Sequence, residues 1–88
     1  MQEFILNYYK IIASNIKKLR MKSKLSQEKF AESINCSREY VSRLENNKEK
    51  ISLTLLLKIS HLYKVQPEMF FNKEWKHLPA QYLIYPIL

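Results

Sequence analysis

The sequence predicts an all-α domain of five helices with a short C-terminal extension that forms a strand or an arm. Three observations predict it. Glycine is absent from all 88 residues, whereas proteins average roughly 7%, so Gly-rich phosphate loops and primed β-hairpins lack the residue on which they depend. Apolar residues recur three and four positions apart instead of alternating. Ser26, Ser37 and Ser52 each stand just before such a stretch, where a hydroxyl accepts from the unpaired amides of a helix start.

The elements follow in order. Ile12, Ile16 and Leu19 share one face of a first helix predicted from about Tyr8 to Lys22. Six basic residues and no acidic one lie between Lys10 and Lys24, either a solvated helix face or a contact with nucleic acid. Ser26 opens a short helix over Gln27 to Ile34, with Phe30 and Ile34 one turn apart. Ser37 opens a third, about Arg38 to Asn46, with Val41 and Leu44 inward. Ser52 opens a fourth, to about Tyr63, whose Leu53, Leu56, Leu57, Ile59 and Leu62 predict a broad apolar face. Pro67, suited to a first helical position, starts a fifth over Glu68 to Phe71. With no glycine, positive backbone angles fall to asparagine, so Asn35, Asn46, Asn47 and Asn72 are the turn candidates. Residues 1–71 form one unit and 72–88 an extension. In the latter, Gln81 to Tyr85 reads as a short edge strand and Trp75 with the apolar tail as a core cap or dimer contact.

Composition narrows the function classes. Fifteen basic residues against eight acidic ones give a formal charge of +7, which points to an acidic partner such as nucleic acid. A single cysteine, Cys36, excludes a disulfide framework and a Cys-based zinc finger; it reads as an inert thiol filling a slot in a turn. His61 and His77 lack ligand-spaced neighbours, so no metal and no cofactor is expected. No nucleophile–base–orienter set is visible, hence no catalytic residues and no enzyme. No apolar run nears the roughly 20 residues of a membrane span, and the N-terminus, with Glu3, does not read as a secretion signal. A cytoplasmic, reducing setting is expected.

Helices two and three, about three residues apart, have the spacing of a helix-turn-helix (residues 27–46), whose second helix projects into a major groove. Phe30, Ile34, Val41 and Leu44 seal the two together, and Ala31 is small where their axes approach. The outward positions are Arg38, Glu39, Ser42 and Arg43, with Tyr40 at the flank. These residues suit the reading of base edges.

The run Leu25-Ser26-Gln27-Glu28-Lys29-Phe30-Ala31, the run Ser37 to Asn47, and Ile51 to Ile59 together resemble the phage-repressor and Cro-like (XRE-type) helix-turn-helix family over about residues 12–71. Asn35 and Asn47 stand where the family commonly has glycine. The resemblance implies a repressor-like fold and a homodimer bound to double-stranded DNA at a pseudo-palindromic operator. It implies base contacts by Arg38, Glu39, Ser42 and Arg43. Backbone contacts would come from Gln27, Asn46, Lys48 and Lys50, while Tyr40 either bonds a phosphate or packs at the flank. Arg20 and Glu45 match a pair that forms a buried ion bridge. The Arg38-x-Tyr40-Val41-Ser42 run and Ile51-Ser52-Leu53 are also similar to controller proteins of restriction–modification systems, although Glu39 departs from the small hydroxyl residue associated with them. The rival reading is an antitoxin that binds a toxin and autoregulates through the same motif. Polymerase is the other protein partner such a regulator would meet; no membrane is implied.

Overall fold

A computed structural model describes residues 1–75. Four α-helices, α1 (Gln2–Lys22), α2 (Gln27–Ser33), α3 (Arg38–Glu45) and α4 (Leu53–Tyr63), precede a 3₁₀ turn over Pro67–Phe71; there is no strand among the described residues. The three serine caps form as their positions require. Ser26 accepts from the Lys29 amide at 3.1 Å, Ser37 from Tyr40 at 3.0 Å and Ser52 from Leu55 at 3.1 Å.

The helices enclose one core. Ile12, Ile16 and Leu19 of α1 meet Phe30, Ala31 and Ile34, then Val41 and Leu44, then Leu56 and Ile59 of α4. Each large apolar side chain taken fully from water contributes about 1.5–3 kcal/mol, so this layer fixes the angle between α2 and α3. Cys36 is half-buried against the core, its thiol directed at the Ile34 carbonyl. Trp75 is 1% exposed and its ring centroid lies 5.4 Å from that of Phe70, so the core reaches beyond Phe71.

Several expectations change. The first helix begins at Gln2, not near Tyr8, because Glu3 to Asn7 contain no helix breaker and the ladder continues from Ile5 N to Met1 O. The fifth helix is a 3₁₀ turn rather than an α-helix, with i to i+3 bonds from Met69 N to Gln66 O and from Asn72 N to Met69 O. The cause lies in α1. The buried Asn15 amide donates to the carbonyls of Phe70 at 2.7 Å and Asn72 at 2.9 Å, with Met69 at 3.5 Å, so these acceptors are turned toward α1 and are not aligned for another helical turn. On α4 only Leu56 and Ile59 of the five predicted apolar positions are buried; Leu53, Leu57 and Leu62 are exposed. Among the described residues, the left-handed ones are Lys24, Asn35, Asn47 and Lys64. Asn46 and Asn72 keep negative φ. Both lysines follow a helix C-terminus, where the chain must reverse and no glycine is to hand. The strand expected over Gln81 to Tyr85 lies outside the described residues.

Candidate nucleic-acid interface

Helix α3 is anchored by Val41 and Leu44, three residues apart and both buried, which turns the opposite side outward. Arg38, Glu39 and Arg43 are exposed on it, and Ser42 is half-buried. Asn46, the residue that caps its C-terminus, donates from Nδ2 to the Ser42 carbonyl at 2.9 Å, one of its two amide protons closing the helix. Lys48 is exposed in the following loop, and the Lys50 ammonium lies 5.8 Å from the Tyr9 ring centroid. The cation–π contact holds that loop against α1.

A connected set of side chains locks α3 to the helices behind it. Arg20 Nε donates to Glu45 Oε2 at 2.7 Å and its NH2 to Oε1 at 3.1 Å, while NH1 donates to the Leu25 carbonyl at 2.8 Å. Gln27 Nε2 donates to the same Glu45 Oε1 at 3.1 Å, and Gln27 Oε1 accepts from Arg38 NH1 at 3.2 Å. The first residue of α2 thus touches both ends of α3. The fork between guanidinium and carboxylate defines orientation as well as distance, so α3 is held at a fixed attitude to α1.

The other arginine of α3 is held differently. Arg43 Nε donates to Glu49 Oε1 at 3.1 Å, and its guanidinium lies 5.8 Å from the Tyr40 ring centroid. Burial, the Glu49 carboxylate and the Cys36 thiol push the Tyr40 hydroxyl above its usual pKa, with Arg43 pulling the other way. Tyr40 therefore remains a neutral hydroxyl that can donate to a phosphate oxygen.

Sequence reasoning missed Glu49, Tyr9 and Asn15. Glu49 is six residues beyond Arg43, past the end of the helix; the two meet only because Asn47 turns left-handed and folds the chain back. No pattern of helical spacing signals that contact. The composite surface presents arginine forks, a hydroxyl and lysines from one rigid element and its loop, and this suits a polyanion with hydrogen-bonding base edges.

Residues 16–70 match the helix-turn-helix family. The chain belongs to that family, in its XRE-type branch. It is a DNA-binding transcriptional regulator and not an enzyme. A control protein, C.MunI of a Mycoplasma species, is 49% identical over 57 residues, which are 62% of this chain and 77% of that protein. No solved structure gives a significant match. No helix among the described residues is long and apolar enough to cross a membrane. The family match begins part-way along α1, at Ile16.

Proposed function

We propose that this helix-turn-helix regulator acts as a controller of restriction–modification genes, binding a pseudo-palindromic operator as a homodimer. The observation that carries the reading is the outward face of α3, polar and arginine-bearing, on a helix fixed by the Arg20–Glu45 fork. Similarity to a control protein supports the regulatory class. In this reading Arg38 and Arg43 fork onto guanine O6 and N7, Ser42 bonds a base edge, and Glu39 accepts from a cytosine amino group or orients an arginine. Gln27, Tyr40, Asn46, Lys48 and Lys50 contact the phosphates. They supply affinity that falls with salt as counterions are released. Leu53 and Leu57, one turn apart and both exposed on α4, offer an apolar surface for a second copy. Two recognition helices then meet major grooves about 34–36 Å apart.

Selection from random duplexes with the purified protein, coupled to measurement of its mass on the selected site, tests this. The expected result is a two-fold symmetric site occupied by two copies. An asymmetric site bound by one copy would refute the dimer, and no preferred sequence at moderate salt would refute base reading.

A further inference from the structure

Arg43 is the base-reading candidate with an acidic partner, and that partner comes from the loop after the recognition helix. Glu49 Oε1 takes only the Nε of the guanidinium, at 3.1 Å. Among the described residues, the two terminal nitrogens make no hydrogen bond. Those are the atoms that form a fork to guanine O6 and N7. The Tyr40 ring lies at 5.8 Å from the guanidinium carbon, so the planar group is bounded by an aromatic side chain and hydrogen-bonded at its inner nitrogen. A free arginine has many rotamers to lose on binding, and a group held in its bound orientation loses fewer.

We infer that Glu49 is a specificity-determining positioning residue, which holds Arg43 by its Nε so that the two terminal nitrogens face the base edge. This inference rests on the reading of Arg43 as a base-contacting residue. It assigns a role in sequence discrimination to a residue that lies outside the recognition helix and carries the charge least suited to DNA. Electrostatics alone makes Glu49 purely unfavourable beside phosphates, so its removal raises affinity for any duplex. Positioning makes the further demand that sequence discrimination falls.

The two effects separate with two variants of the full chain. Glu49→Ala removes both the charge and the acceptor. Glu49→Gln removes the charge but keeps an oxygen that accepts from Nε. Binding is measured by titration against the selected operator, against the operator changed at the base assigned to Arg43, and against random duplex, at two salt concentrations. Arg43→Ala identifies that base and sets the full loss of discrimination, on the order of tenfold or more when the fork is removed. Glu49→Ala is expected to lose roughly three- to tenfold of the discrimination at that base alone, while its random-duplex affinity rises. Glu49→Gln should gain the same random-duplex affinity yet keep discrimination within about twofold of the parent protein, because the Nε hydrogen bond persists.

Unchanged discrimination in Glu49→Ala would overturn the inference, leaving Arg43 a base reader that needs no support. Equal losses in Glu49→Ala and Glu49→Gln would also overturn it, since charge and not geometry would then be responsible. If Arg43→Ala itself changed no base preference, the assignment of Arg43 would fail and the role of Glu49 with it. That result is distinct from the other two.

Discussion

Two arginine–glutamate pairs built from the same atoms sit at opposite extremes of burial. Arg20 Nε to Glu45 is 2.7 Å, with side chains 14% and 2% exposed; Arg43 Nε to Glu49 is 3.1 Å, with side chains 52% and 35% exposed. In the first, both carboxylate oxygens are engaged by Arg20 and Gln27 adds a third donor, so taking either charge away strands the other in a region poor in water. In the second, both groups are partly solvated, so removing either strands no charge and costs the fold little. The buried pair therefore belongs to the architecture, while the exposed one lies on the outward face proposed to read DNA. Identical chemistry is tied to the stability of the fold in one place and to the orientation of a single surface side chain in the other.

The comparison can be broken most forcefully at the buried pair. Glu45→Ala is expected to destabilise the domain by about 3–5 kcal/mol, read as a lowered urea midpoint; a loss under about 1 kcal/mol would put both pairs in one class. Arg43→Ala should leave stability within about 0.5 kcal/mol but cost about 1–3 kcal/mol of base discrimination at one position per half-site, measured by competition titration. Lys48→Ala should weaken operator and random DNA alike and flatten the log–log salt dependence by about 0.9 for each phosphate left without its cation. An unaltered slope would remove Lys48 from the interface. The smallest effect is expected at Lys64, where φ is 58°. Lys64→Gly relieves a left-handed cost of about 1–2 kcal/mol, against about 0.4–1 kcal/mol of added freedom in the unfolded chain. A gain of a few tenths to about 1 kcal/mol in thermal unfolding should follow.

The buried layer was legible because local rules suffice for it. The serine caps and the three- and four-residue spacing of Ile12, Ile16, Phe30, Ile34, Val41 and Leu44 each depend on nearest neighbours along the chain. What sequence spacing did not reveal depends on the chain coming back on itself. Asn15 looks like an ordinary polar residue in a helix until the Pro67–Phe71 turn presents its carbonyls, 54 to 57 residues later. Glu49 looks like one charge in a charged loop until Asn47 brings it beneath Arg43. The exposed leucines of α4 misled in the opposite sense, since their spacing describes an apolar helix but not how much of its girth the domain can cover.

The glycine-free composition has a thermodynamic consequence at the level of the denatured ensemble. Among the described residues, four with a Cβ occupy the left-handed region, and each raises the energy of the native chain there. The same side chains narrow the range of shapes open to the disordered polypeptide, so less randomness is surrendered when it collapses. Strain at four hinges is thus offset by a stiffer starting point, and a domain of this size can reverse direction after each helix without the residue most often used for that purpose.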